Sequence, residues 1–243
     1  MVGRNLSVEF LGLPGAGKSG VSRRVGKLLE GQGIRVLETA YELTHRTGAG
    51  KRRLIKSAHI AREIALRPLD SARSVRAILA TKQRTTSDLV GAVSNWLFVS
   101  DLLRDHGRVP AIQLLDEGIF QALWSVGFGA AVDDLPAVVK AVGASCSLPD
   151  VVVIVNASLA TVEQRLRVRG LRQSRLEDRL DTDRGILERS GRLMDEVRSI
   201  LLGMAKSERK IHIQEVANDR EQDLEPNARA LAGALIPMFT GLA

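Results

Sequence analysis

The chain has 243 residues and a formal net charge of +7; aromatic residues make up only 3% of it, while Leu, Val, Ala and Ile are plentiful. That length accommodates one large α/β domain, 1–243, with an aliphatic core covered by helices on both faces, and does not demand a second domain. A lone Cys146 excludes an intramolecular disulfide, no apolar stretch is long enough to cross a bilayer, and nothing reads as a signal peptide, so the expected setting is cytoplasmic, with anionic partners for the basic balance.

Leu6 to Leu11 reads as a buried strand and Val21 to Leu29 as a helix, and the segment between them, Gly12-Leu13-Pro14-Gly15-Ala16-Gly17-Lys18-Ser19, fits G-x-x-x-x-G-K-[ST] at every fixed position. Strand, glycine turn and helix N-terminus together gather backbone N–H groups and the positive end of the helix dipole around one spot, which describes a polyphosphate cradle. Its expected members are Gly12, Pro14, Gly15, Ala16, Gly17, Lys18, Ser19 and Gly20. In that context Lys18 reaches the β- and γ-phosphates of ATP, and the Ser19 hydroxyl ligates Mg²⁺.

After Gly31 and Gly33, Ile34 to Thr39 reads as a second strand carrying Glu38 near its end. From His45 to Arg84 the composition turns basic: Arg46, Lys51, Arg52, Arg53, Lys56, Arg62, Arg67, Arg73, Arg76, Lys82 and Arg84 face only Glu63 and Asp70. Leu54, Ala58, Ala61 and Ala65, flanked by Ile55 and Leu66, recur at helical spacing until Pro68 stops the helix, and Val75, Ile78 and Leu79 suggest another short one. Three readings stay open for this segment: part of an acceptor pocket for an anionic substrate, an amphipathic helix against an acidic membrane surface, or a solvated cover over the sheet. It has the charge for nucleic acid but neither aromatic interleaving nor a recognition motif, so no specific nucleic-acid partner is expected.

Ser87 to His106 is a long helical pattern with Gly107 as its stop, and Pro110 introduces a third strand, Ala111 to Leu115, ending in Asp116-Glu117-Gly118 before a helix over Ile119 to Val126. A helix over Leu135 to Val142, capped by Asp133 or Asp134, precedes Val151 to Val155, whose unbroken aliphatic run marks a central parallel strand. Ser158 caps a helix carrying Arg165 and Arg169, and Arg172, Arg175, Arg179 and Arg184 follow with interspersed acids. Ile186 to Met204 is a further helix, Lys210 to Gln214 a fifth strand with the polar alternation of an edge, and Asn227 to Phe239 a closing helix.

Asp116, at the carboxyl end of a strand beside the phosphate loop, suits a Mg²⁺ contact, and Glu117 and Glu38 are the candidates for accepting a proton from an acceptor hydroxyl. Asp133 and Asp134 are explained by capping, and the four histidines lack metal-ligand spacing, so no metal beyond Mg²⁺ is expected.

Strands alternating with helices, a phosphate loop after the first, an acidic step after the third and an arginine-rich segment after the fourth resemble the P-loop nucleoside and nucleotide kinases, thymidylate kinase above all. Besides GLPGAGKS, Pro149 to Gly170 (PDVVVIVNASLATVEQRLRVRG) is similar to that family's strand, helix and R-x-x-x-R-G lid start. The resemblance implies a doubly wound five-stranded parallel sheet of order 2-3-1-4-5, with ligands beyond the carboxyl ends of the strands and 165–184 as a lid; residues 45–84, where the likeness is weak, are read as a basic helical insertion over the acceptor side. It places Arg165 at the nucleotide base and Arg169 at the transferring phosphoryl, with Arg172 and Arg175 as further candidates there. The competing local reading pairs these arginines with Glu163, Glu177, Asp178, Asp181 and Asp183 on helical faces.

Two departures limit what the resemblance carries. Thymidylate kinases follow the third strand with Asp-Arg and deoxynucleoside kinases with Glu-Arg-Ser, whereas this chain has Asp116-Glu117-Gly118, and the usual Glu-Pro after the second strand is Glu38-Thr39. The missing arginine puts a nucleoside monophosphate acceptor in doubt. The expectation is an ATP- and Mg²⁺-dependent kinase acting on a small-molecule acceptor, nucleotide-like or a sugar or lipid-linked hydroxyl, with an NTP-binding regulatory or assembly protein as the rival class. Membrane contact and a homodimer remain open.

Overall fold

The computed structural model describes residues 4–45, 47–104, 109–132, 134–142, 146–169, 174–207 and 211–241. In chain order the elements are β1 (Leu6–Leu11), α1 (Lys18–Gly31), β2 (Val36–Leu37), α2 (Thr39–His45), α3 (Ala49–Leu66), α4 (Pro68–Ala80), α5 (Thr86–Arg104), β3 (Ile112–Leu115), α6 (Ile119–Gly129), α7 (Leu135–Val142), β4 (Val151–Asn156), α8 (Leu159–Val168), α9 (Arg175–Leu180), α10 (Ile186–Lys206), β5 (His212–Ala217) and α11 (Leu224–Thr240).

The strands form a parallel sheet of order β2-β3-β1-β4-β5, the doubly wound arrangement expected of a P-loop NTPase-like α/β fold. β1 is buried along its whole length between β3 and β4, in register Val8 with Leu114 and with Val151. On one face Leu6, Val8 and Phe10 pack with Val21, Val25 and Leu29 of α1 and with Ala228, Leu231 and Leu235 of α11. On the other, Leu11, Leu115, Val152 and Ile154 meet Trp96, Val99 and Leu102 of α5, Phe120 and Leu123 of α6, and Val197 and Leu201 of α10. Strands covered on both faces need no polar alternation, which is why Val151–Asn156 is nearly all aliphatic. β5, at the sheet edge, is largely exposed.

Several boundaries differ from the sequence pattern. β2 contains only Val36 and Leu37, paired to Ile112 and Gln113, because α2 begins at Thr39 and takes the chain away from the sheet edge. α1 begins three residues before its first buried apolar position, at Lys18. β5 lies at His212–Ala217, later than Lys210 to Gln214; Lys210, like Asp133, His106, Gly107 and Arg172, lies outside the described residues.

The largest difference is in α3. Its helical spacing holds, but Leu54, Ala58, Ala61 and Ala65 face outwards, with Leu54 71% exposed. The inward side carries Ile55 and Ile60, half-buried against the core, beside a set of ion pairs to α5. His59 Nδ1 lies 2.7 Å from Asp101 Oδ2, Arg62 Nε donates to Asp101 Oδ1 at 2.8 Å, and Arg104 Nη2 lies 3.4 Å from Glu63 Oε1. Asp101 and Glu63 are 2% and 3% exposed, so each needs its cation, and these ion pairs join Ile55 and Ile60 in fixing which face of α3 is inward.

Candidate active site

The loop between β1 and α1 wraps around its own backbone. Gly15 and Gly17 have φ of 88° and 95°, which only glycine adopts without strain. A Cβ on Gly12 would lie 2.5 Å from Val155 O, and one on Gly17 would collide with Asn218 Nδ2. α1 starts at Lys18 with no side-chain cap, leaving its N-terminal N–H groups and dipole for an anion. Lys18 Nζ donates to Gly12 O at 2.7 Å and Leu13 O at 3.2 Å. Burial lowers its pKa to about 8, and the nearby Arg169 pushes the same way, against the attraction of Glu117 and Asp116.

Ser19 Oγ donates to Asp116 Oδ2 at 3.0 Å, and Asp116 is 9% exposed. A hydroxyl and a carboxylate held this close supply hard oxygen donors to one point, which fits Mg²⁺ completed by phosphate and water oxygens. No cluster of three or more His, Cys, Asp or Glu suited to a metal occurs among the described residues.

A cavity of about 560 Å³ opens from this point, lined by Pro14, Gly15, Gly17, Lys18, Ser19 and Gly20 on the loop side and by Arg52, Arg53 and Lys56 of α3 and Asn95 and Phe98 of α5 across from it. Asp116, Glu117, Gln121, Trp124, Arg169 and Arg175 complete the lining. Lys56 Nζ donates to Asn95 Oδ1 at 3.4 Å and sits 5.2 Å from the centre of the Phe98 ring; burial lowers its pKa, opposed by Glu117. Of the three readings of the basic segment, the geometry brings Arg52, Arg53 and Lys56 to the cavity.

Among the proposed proton acceptors, Glu117 lines the cavity and Glu38 does not. The early end of β2 turns the Glu38 carboxyl towards α1, where Oε1 is buried without a partner and lies 3.4 Å from the position of a Cβ on Gly26; burial raises its pKa. Gly12 and Ala16 underlie the loop and face a second cavity beside Asn156 and Arg198. Arg165 braces the loop, with Nη1 donating to Ala16 O at 3.2 Å and Nη2 to Asp219 O at 3.2 Å.

The other arginines are engaged on the protein. Arg169 Nη1 is 3.4 Å from Glu177 Oε1 while still lining the cavity. Arg175 donates to Asp88 Oδ1 at 2.6 Å and to Ser125 O at 2.7 Å, and its guanidinium lies 5.5 Å from the Phe128 ring centre. Arg179 reaches Asp88 Oδ2 at 3.3 Å. Burial pushes the Asp88 carboxyl up, but the hydrogen bonds from Arg175 and Thr85 and both guanidinium charges hold it below its ordinary value. Arg172 lies outside the described residues.

Four contributors escape sequence reasoning. Asn218, at the end of β5, donates Nδ2 to Ala16 O at 2.8 Å. Gln121 Oε1 accepts from Gly12 N at 3.4 Å, Asp88 anchors α9, and Glu9 lies buried in β1. Only Glu9 leaves a signal in the sequence: an acid inside an otherwise apolar central strand.

No protein-family model matches the chain, and no curated protein matches its sequence. Among solved structures it is similar to thymidylate kinase from Candida albicans, the subject of work on the origin of broad substrate specificity and a novel structural element. The two are 14% identical over 97% of this chain and 94% of that one, with a TM-score of 0.54, a likeness of fold.

Proposed function

We propose that this chain is an ATP- and Mg²⁺-dependent phosphotransferase that moves the γ-phosphoryl group to a hydroxyl of a small acceptor in the 560 Å³ cavity. The observation that carries the reading is the shared lining: a phosphate loop with Lys18, the Ser19–Asp116 oxygen pair, and an acid and cationic side chains across one space. A switch NTPase needs the first two and has no use for the third.

Lys18 would exchange the carbonyls of Gly12 and Leu13 for phosphate oxygens, and the uncapped α1 N-terminus would hold the β-phosphate. Ser19 Oγ and Asp116 would hold Mg²⁺, which when bound would supply positive charge to the phosphate oxygens. Glu117 would take the proton of the acceptor hydroxyl as its oxygen bonds to the γ-phosphorus and the bridge bond to ADP breaks. Arg169 would stabilise the equatorial oxygens, and Arg52, Arg53 and Lys56 would hold the acceptor.

The test is ADP formation with a panel of nucleosides, nucleotides, sugars and sugar phosphates, with the phosphorylated product identified by mass. Lys18→Ala should lower turnover by about 10² to 10³-fold with an unchanged circular dichroism spectrum. Rapid ATP hydrolysis with no phosphorylated acceptor would assign the chain to the switch NTPases instead.

A further inference from the structure

Glu9 is fully buried in the middle of β1, where a parallel strand covered on both faces calls for an aliphatic side chain. Its Oε1 accepts the Gln121 N–H at 2.8 Å, and Oε2 has no hydrogen-bond partner. The carboxyl occupies the space beside Gly118, so that a Cβ at 118 would collide with Glu9 Cγ, Cδ and Oε2. Gln121 in turn accepts the Gly12 N–H through its own side chain, which closes a path from β1 through the start of α6 to the phosphate loop. The segment 116–121 is therefore held at two points: Asp116 on Ser19, and Gly118 with Gln121 on Glu9.

We infer that Glu9 is a positioning residue that caps α6 and seats the Asp116-Glu117-Gly118 turn, and that Gly118 is glycine because the Glu9 carboxyl fills the space of its side chain. The part of this inference that concerns Mg²⁺ rests on the proposed function, whereas the coupling of residues 9 and 118 does not. Burial raises the Glu9 pKa to about 7 against the pull of the N–H groups of Gln121, Phe120 and Ile119 and of Lys18; a group so costly to ionise in place is consistent with a positional role that an apolar side chain cannot fill. With the turn fixed from below, a substitution at 118 displaces Asp116 or the α6 start.

The test is a double-mutant cycle on the full chain with Gly118→Ala, Glu9→Ala and the double variant, read first by thermal unfolding. Gly118→Ala should lower the melting temperature by several degrees in the Glu9 protein and cost little further in the Glu9→Ala protein. Additive losses would overturn the inference. The second readout is binding of the fluorescent nucleotide mant-ATP over a Mg²⁺ titration. Glu9→Leu, which keeps bulk but loses the acceptor, should raise the Mg²⁺ concentration at half-effect by about fivefold or more while Mg²⁺-free affinity stays within twofold, and Glu9→Gln, which keeps the acceptor oxygen, should restore it. An unshifted Mg²⁺ dependence in Glu9→Leu would reject the positioning of Asp116. Failure of the wild-type protein to bind mant-ATP would remove the proposed function, and the unfolding cycle would still decide whether Glu9 fixes residue 118.

Discussion

Lys18 is the residue at which loop geometry and electrostatics meet. Burial favours its neutral form and brings its pKa to about 8, while a triphosphate placed against it favours the charged form. Below that pH the amine is charged, and nucleotide affinity should be flat; above it, binding must take up a proton, and affinity should fall. Calorimetry of ATP binding in buffers of different ionisation enthalpy should show roughly half a proton taken up per nucleotide near pH 8 and almost none at pH 6. Affinity unchanged up to pH 9.5 would contradict a strongly buried amine. Lys18, Ser19 and the positive-φ glycines were legible in the sequence because their geometry is local, fixed by a few bonds of strand, turn and helix start. Glu38 was not legible, since the direction of its carboxyl depends on where β2 lets go of β3.

At the scale of elements, α3 lines the cavity across from the phosphate loop, and its inward face combines Ile55 and Ile60 with ion pairs to α5, while Leu54, Ala58, Ala61 and Ala65 face outwards. Asp101 and Arg104 lie about 40 residues along the chain from their partners on α3, so a helical-period argument within residues 45–84 finds the helix and misses its inward face. The consequence for function is that Arg52, Arg53 and Lys56 share the inner side of the first turns. Replacing all three with alanine should raise the acceptor KM by about tenfold or more while leaving the ATP KM within threefold, measured by initial rates with each substrate varied in turn. Unchanged acceptor kinetics would return the segment to its role as a cover. α9 shows the same limit of local reading. Its arginines were legible as a cluster, but Asp88, which clamps Arg175 and Arg179, belongs to the start of α5 and has no neighbour in sequence to announce it.

For the molecule as a whole, the alternation of apolar strands and helices carried the parallel sheet and its two helical layers, whereas the strand order was what the resemblance to nucleotide kinases implied, and the sheet has that order. The polar interior of the sheet did not follow, and it gives the global stability a pH dependence. Glu9 has a folded-state pKa of about 7 against an ordinary value near 4.5, so the fold favours its protonated form. The stability this contributes is present in full below about pH 4.5 and is lost as pH rises through about 7, the unfolded chain ionising first. By linkage the loss from this group is about 3 kcal/mol. Glu38 and Glu63, also raised by burial, act in the same direction, and Asp88, held below its ordinary value, acts in the opposite one, so the wild-type curve alone does not isolate Glu9. Glu9→Gln keeps the acceptor for Gln121 N–H and cannot ionise. The difference in unfolding free energy between Glu9→Gln and wild type, from denaturant titrations at a series of pH values, should therefore be constant below about pH 4.5 and rise in favour of the variant by about 3 kcal/mol by pH 8. A difference that stays flat across that range would mean that Glu9 ionises in the fold as freely as in the unfolded chain.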